Sequence, residues 1–256
     1  MDWLGYLATA GAALAGGATN AVVGGGTLIT FPTLLALGVP AVSANVTNTV
    51  ALCPGYFSAA FAQRSALVGQ RRRLIPLIAV SVLGGLAGAA LLLVTSDDAL
   101  RRLIPVLLAL ATLLLASANR IRVALGRTHV EGSASLVDAS WLPGVVALVA
   151  VYGGFFGAGI GVMLLAVLSI GVHESLTRAN AIKQVLSLVI NVAAAVFFVF
   201  SGKVWWTVAA VMAVGSVTGG YLGGRLVGRL DPDRFRIVVV VIGAVLSIVY
   251  AWRVWL

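Results

Sequence analysis

Two glycine-rich stretches interrupt long apolar segments of the chain, and their residue types suit an anion bound through the backbone. They comprise Gly24, Gly25, Gly26 and Thr27 in the first half, and Gly157, Gly159 and Gly161 in the second. A glycine backbone can approach a ligand closely, and a helix that restarts after the glycines points its partly positive N-terminus at the interruption. In a membrane, such irregular backbone survives only where protein or a water-filled cavity covers it. The pair therefore predicts a binding site inside a membrane-embedded fold.

Polar side chains near both interruptions could add hydrogen-bond donors. The candidates are Asn20, Asn45, Thr47, Asn48, Asn180 and Gln184. A hydrogen bond between helices is the alternative interpretation of any one of them. The cluster from Asn45 to Asn48 is a stronger indication than any single member.

Two cations near the start of the sixth apolar segment could attract the anion by charge. Lys183 is the deeper one, with Ala-Ile before it and an apolar run after it. An ionisable residue at membrane depth indicates a functional site. Arg178 has two further interpretations: it snorkels to the membrane surface, or it forms a helix-surface ion pair with Glu174.

Residues for other chemistries are missing from the sequence. Cys53 is the single cysteine, the two histidines are isolated, and no His/Cys/carboxylate cluster has metal-ligand spacing. A phosphate-binding loop with its lysine and a nucleophile elbow are also absent. We therefore expect neither an enzyme nor a cofactor. Glu174, His173 and Lys183 are the candidates for proton coupling, but an anion leaving a negative cytoplasm needs no coupling.

The elements that must position these residues are long apolar helices. Of 256 residues, 61% are hydrophobic and 10% are charged, and the mean hydropathy is +1.08. Eight apolar segments span about 3–36, 40–62, 74–95, 99–119, 143–171, 174–201, 204–224 and 236–255. The first and fifth exceed the roughly 20 residues of one spanning helix, and these are the two that contain the glycines. Each is either a kinked crossing or a re-entrant hairpin.

Basic residues distinguish the two topologies. If all eight segments cross, the seventeen Lys and Arg residues divide nine to eight between the two sides. If the first and fifth are re-entrant, only Arg101, Arg102, Lys203 and Arg253 lie opposite the other thirteen. The second arrangement obeys the positive-inside rule. It predicts six crossings with both termini outside, and it assigns the net charge of +9 to lipid headgroups and not to nucleic acid.

The two halves are related by an offset of 133 positions, which matches Gly24 with Gly157 and Gly69 with Gly202. We expect an all-α polytopic membrane protein with one integral domain, 1–256. It divides into repeat one (1–120), a cytoplasmic linker (121–142) and repeat two (143–256). Three crossings per half make the repeats inverted, each with a glycine-broken helix followed by three transmembrane helices. The glycine-rich seventh segment indicates helix packing, either within the chain or in a homodimer.

The first-half motifs resemble those of the sulfite exporter TauE/SafE family. They are Gly24-Gly-Gly-Thr-Leu-Ile-Thr-Phe-Pro32, Leu37-Gly-Val-Pro40 and Ala44-Asn-Val-Thr-Asn48, with a weaker copy in the second half. The resemblance covers essentially the full chain. It implies a secondary carrier in the cytoplasmic membrane of a prokaryote that exports sulfite or organosulfonates such as sulfoacetate or isethionate. The second copy departs from the first by carrying Arg178 and Lys183 where the first half has Asn45 and Val50.

Together these features predict an anion carrier whose ligand lies between the two glycine breaks, with access alternating as the halves rock around it. Its partners would be the anion and membrane lipids. A passive anion channel would instead have a continuous open pore. A non-transporting scaffold subunit is the alternative from another class, and the paired breaks argue against it.

Overall fold

The computed structural model describes residues 1–22, 24–126, 139–172, 174–226 and 232–255, and their regular structure is entirely helical. The helices are α1 (Trp3–Val22), α2 (Thr27–Ala36), α3 (Ala41–Ala62), α4 (Arg71–Val94), α5 (Asp97–Gly126), α6 (Leu142–Phe155), α7 (Ile160–Gly171), α8 (Leu176–Val199), α9 (Trp206–Leu226) and α10 (Pro232–Trp255). A 3-10 helix (Arg64–Leu67) follows α3. The all-α prediction is confirmed. Of the predicted linker, residues 127–138 lie outside the described residues, as does His173.

Five of the described helices are long and apolar enough to cross a membrane. They are Arg71–Val94, Asp97–Ser117, Thr177–Val199, Trp206–Leu226 and Arg236–Trp255, which match five of the six predicted crossings. The sixth, α3, has 22 residues but carries Asn45, Thr47 and Asn48 among its apolar side chains. These polar residues are buried, so α3 lies inside the helix bundle and is less apolar than the other five.

Both glycine-broken segments fold back on themselves. In the second half, the Ala139 N–H before α6 donates to the Gly171 carbonyl at the end of α7, with an N···O distance of 3.0 Å. In the first half, Gly5 near the start of α1 lies against the Leu37 side chain just after α2. The two ends of each segment therefore meet, and the breaks lie at the turns. The fold-back agrees with the re-entrant alternative, which stays a prediction.

Helices of the first half pack against helices of the second half, and each such contact has an equivalent in which the two halves swap roles. Helix α1 packs along α9, and its counterpart α6 packs along α4; likewise α3 contacts α9, and α8 contacts α4. Two further pairs, α3 with α8 and α5 with α10, each bring a helix of the first half against its counterpart in the second half. The broken helix of each half is thus held by the other half.

Matching glycine motifs make these exchanged contacts possible. Gly84 faces α6 and Gly85 faces α8, while the corresponding Gly219 faces α1 and Gly220 faces α3. A Cβ on any of the four would lie under 3.0 Å from the facing helix, so only glycine permits this approach. The glycines of α9 thus pack within the chain, and they give no support to the homodimer that the sequence suggested as an alternative.

Candidate functional site

The two glycine breaks touch at the centre of the molecule. Gly24 has a φ of +82°, a backbone conformation that glycine adopts without steric cost. A Cβ on Gly24 would lie 2.7 Å from the Gly161 Cα, and a Cβ on Gly161 would lie 2.7 Å from the Gly24 Cα. Beside them, the rings of Phe31 and Phe156 pack edge to face at 5.2 Å between centroids. The tertiary fold therefore brings together stretches that are far apart in sequence.

An amide side chain from the opposite half of the chain hydrogen-bonds to the backbone at each break. The Gln184 Nε2 on α8 donates to the carbonyls of Asn20 and Ala21 at the end of α1, at 3.3 and 2.8 Å. In the reciprocal contact, the Asn45 Nδ2 on α3 donates to the Phe155 carbonyl at the end of α6, at 2.8 Å. Because the last carbonyls of a helix have no partner within it, these bonds let both helices end inside the protein. Asn45 and Gln184 are therefore bound to backbone in this conformation.

Lys183 lies beside the contact between the breaks and is completely buried, with 0% of its surface exposed. Its Nζ donates to the Asn20 carbonyl at 3.4 Å, and its Cδ would be 3.6 Å from a Cβ on Gly161. Within the described part of the chain, no carboxylate lies within ion-pairing distance of this ammonium. A buried charge without a counter-ion is unfavourable by several kcal/mol, so an anion bound here would be stabilised.

The N–H groups of the two breaks have different environments. In the first break, the Asn20 Oδ1 accepts hydrogen bonds from the N–H groups of Gly25 at 3.2 Å and Gly26 at 2.7 Å. In the second break, the corresponding N–H groups of Ala158 and Gly159 meet no acceptor among the residues that the structure describes. Both residues are buried. Buried backbone N–H groups are nearly always paired. The second break therefore has two donors available for a ligand or water.

Further polar atoms around the site lack partners. The buried Oδ1 atoms of Asn45 and Asn48 on α3, and the Oε1 of Gln184 and Oγ of Ser187 on α8, make no hydrogen bond within the described chain. Because α3 and α8 pack together, they form a polar interior that suits water or a polar ligand. Thr27 is also buried at the start of α2.

Two predicted ligands connect helices away from the breaks. The Thr47 hydroxyl accepts a hydrogen bond from the Trp205 N–H just before α9, at 3.0 Å. The Asn180 Nδ2 donates to the Gln63 Oε1 just after α3, at 2.6 Å. Both bonds join the two halves, which is the alternative interpretation that the sequence left open for isolated polar residues.

Arg178 also lies away from the breaks, with 48% of its side chain exposed, and its guanidinium pairs with the Glu174 carboxylate at 3.0 Å. Glu174 also accepts hydrogen bonds from Arg73 at 3.0 Å and from Gln70 at 2.8 Å, both at the start of α4. Partial burial alone would raise the pKa of Glu174, but these three donors and the charge of Arg178 lower that pKa to about 2. We call these four residues the Glu174 cluster. They line a cavity of about 650 Å³ at one end of the molecule.

Comparison with known proteins identifies the chain. The family model described as sulfite exporter TauE/SafE matches residues 9–250. This chain belongs to the TauE/SafE family. It is similar to the probable membrane transporter protein YfcA of Escherichia coli K12, with 28% identity over 92% of this chain and 85% of the relative. A probable membrane transporter protein of Haemophilus influenzae is 30% identical over 89% of this chain and 87% of the relative. No solved structure matches.

The family and the names of these relatives identify the TauE/SafE protein described here as a multi-pass prokaryotic membrane transporter. The probable membrane transporter protein ORF9 of a Sinorhizobium species agrees, with 25% identity over 96% of this chain and 94% of the relative. The matched region contains both glycine breaks.

Sequence analysis of this TauE/SafE protein missed several residues whose contacts the structure shows, some on the helix that carries Lys183 and others away from the breaks. Ser187 follows Lys183 by one helical turn and therefore shares its face of α8, a signal that was available in the sequence. Gln63 and Gln70 lie at helix ends, where a glutamine carries no distinctive pattern. The unpaired N–H of Ala158 belongs to the backbone and has no sequence signature.

Proposed function

We propose that this TauE/SafE protein is a secondary transporter that exports small sulfur-containing anions, either sulfite or organosulfonates such as sulfoacetate and isethionate. The observation that carries the proposal is Lys183, a fully buried ammonium without a carboxylate partner in the described chain, beside the contact between the two breaks. A substrate anion is the natural counter-ion of such a group.

Backbone donors would bind the oxygens of the anion. A sulfonate or sulfite carries three oxygens around sulfur, so it needs several convergent donors. The N–H groups of Ala158 and Gly159 at the N-terminal end of α7 would supply some of them, and the nearby Lys183 another. The helix dipole at this end also favours negative charge. The Ser187 hydroxyl on α8, which makes no hydrogen bond within the described chain, would donate a further one.

The burial of Lys183 favours a carrier over a channel. Lys183 has no exposed surface, so an anion beside it would be closed off from both sides of the membrane, as in the occluded state of a carrier. We propose that the two halves are inverted repeats and that their rocking opens the site to each side in turn. With the cytoplasm negative, each unit of negative charge that leaves gains about 2.3 kcal/mol per 100 mV, so export needs no other energy source.

Efflux from proteoliposomes tests this proposal. Purified protein would be reconstituted into vesicles loaded with sulfite or sulfoacetate, and efflux would be followed under an inside-negative potential. We expect Lys183→Ala to weaken substrate affinity by about 30-fold or more, because losing a buried charge contact costs about 2–5 kcal/mol. Lys203→Ala is the matched control, since Lys203 is the other lysine of the chain and lies in the loop before α9.

The same experiment separates the alternatives. Saturable efflux that requires Lys183 supports a carrier. Efflux that rises linearly with substrate concentration would indicate the passive channel. If vesicles with folded wild-type protein release none of these anions faster than empty vesicles, the proposed substrate class is wrong.

A further inference from the structure

The two breaks are unequal because one side chain of the first has no counterpart in the second. Asn20 caps the N–H groups of Gly25 and Gly26, and the residue 133 positions later is Gly153, which has no side chain. A Cβ at Gly153 would lie 2.1 Å from the Ile160 Cδ1, so a larger residue there would require the Ile160 side chain to move. The first break is therefore closed by the protein itself, and the second is not.

Lys183 is next to the open break. Its aliphatic chain lies against Gly161, two residues after Gly159, whose N–H is among those without an acceptor in the described chain. Two independent features thus lie close together: unpaired backbone donors at the start of α7, and the buried Lys183, whose Cδ lies against Gly161 and whose Nζ donates to the Asn20 carbonyl. Helix α7 has 12 residues, long enough for its dipole to add partial positive charge at this end.

Lys183, when it is protonated, would give this site one positive charge. Glu174 is the carboxylate nearest in sequence to Lys183, and it is already paired with Arg73 and Arg178. A singly charged anion would neutralise the Lys183 ammonium and leave no net charge buried. A doubly charged anion would leave one negative charge without a counter-ion, which a site closed to water disfavours.

We propose that the site at the second break selects singly charged anions, namely sulfonates and hydrogensulfite, over doubly charged sulfite and sulfate. This inference rests on the proposed function, because it takes a sulfur oxyanion as the ligand. It adds a charge requirement to that function. Sulfite would be carried in its protonated, singly charged form, and a sulfonate with one acidic group would be carried as its single anion.

Calorimetric binding to the full-length purified protein tests the inference with two probes of similar size. Methanesulfonate carries one negative charge at neutral pH, and sulfate carries two. We expect methanesulfonate to bind and sulfate to bind at least about 10-fold more weakly. Lys183→Gln should abolish methanesulfonate binding, while Lys203→Gln should leave it unchanged.

The outcomes distinguish this inference from the proposed function. If sulfate binds as tightly as methanesulfonate or more tightly, charge selection is wrong and a sulfur-anion site remains. If neither binds to wild-type protein with a normal unfolding transition, both proposals fail. Asn20→Ala removes the cap of the first break but keeps the Asn20 carbonyl. Unchanged methanesulfonate binding in that variant would support the second break. Tighter binding in the folded variant would show that the freed N–H groups of Gly25 and Gly26 bind the anion, and it would overturn the assignment to the second break.

Discussion

At the level of single residues, the contact between Gly24 and Gly161 determines whether the two breaks can meet. Neither position has room for a Cβ, and each would clash with backbone that cannot move as a side chain can. The same contact places the Lys183 stem against Gly161. The geometry around the buried Lys183 therefore depends on both positions being glycine.

Gly161→Ala tests this dependence. Its new Cβ would push against the Gly24 Cα, so we expect the free energy of unfolding to fall by about 1–3 kcal/mol and transport to decrease. Gly144→Ala in α6 is the matched control, because nothing lies within 4 Å of its Cβ position; it should be neutral or stabilising by up to about 1 kcal/mol. Thermal unfolding in detergent measures both, and equal stability of the two variants would contradict the proposed contact.

At the level of helices, the Glu174 cluster joins the two halves of the chain at one end of the molecule. Glu174 precedes α8 in the second half, whereas Gln70 and Arg73 belong to the first half. The positions offset by 133 residues are Ala41, Lys203 and Trp206, which cannot form an equivalent carboxylate-centred cluster. The two ends of the molecule are therefore held by chemically different contacts.

Acid should weaken this cluster. Because the pKa of Glu174 is lowered to about 2 from 4.5, its ion pairs stabilise the fold fully above about pH 4.5 and lose that contribution as the pH falls toward 2. We expect Glu174→Gln to lower the free energy of unfolding at pH 7 by about 1–3 kcal/mol. The difference from wild type should shrink between about pH 4.5 and pH 3.

Thermal shift measured over this pH range is the test, and Asp98→Asn is the control, because Asp98 is an exposed carboxylate in the first turn of α5. A destabilisation by Glu174→Gln that stays constant down to pH 3 would show that the carboxylate charge is not its cause.

At the level of the whole molecule, the exchanged helix pairs and the fold-back of both broken segments fit two halves of opposite orientation. In that arrangement, the arginine-rich start of α4 faces the cytoplasm, and the loop before α9 faces outside. The charge distribution of the sequence leads to the same orientation through the positive-inside rule. Inversion is therefore a prediction with a direct experimental consequence.

Cysteine labelling in intact cells tests that orientation. Cys53→Ser removes the single cysteine, and Arg72→Cys or Lys203→Cys then provides one reactive site each. We expect a membrane-impermeant maleimide to label Lys203→Cys in intact cells and Arg72→Cys only after the membrane is opened. Arg101→Cys should behave as Lys203→Cys does. Labelling of Arg72→Cys and Lys203→Cys from the same side would rule out the six-crossing arrangement.

Much of the architecture was predictable because membrane helices leave strong local signals. Apolar length separated the segments, and excess length together with glycine identified the two that are broken between Val22 and Thr27 and between Phe155 and Ile160. The boundaries of α3 and α8 agree with the sequence to within two residues. The family match confirms the resemblance that the sequence analysis inferred from the motif around Gly24.

Within the site, the sequence by itself determined which residue types are available: two glycine breaks, one deep lysine, and amides on α3 and α8. Only the tertiary structure decided their partners. Gln184 bonds to the end of α1 and Asn45 to the end of α6. The ion pair of Arg178 with Glu174 is local, four positions apart, and the sequence had already offered it as an alternative. The physical reason is that helix ends and apolar lengths arise from local backbone chemistry. Hydrogen bonds between residues more than 100 positions apart depend instead on how the helices pack.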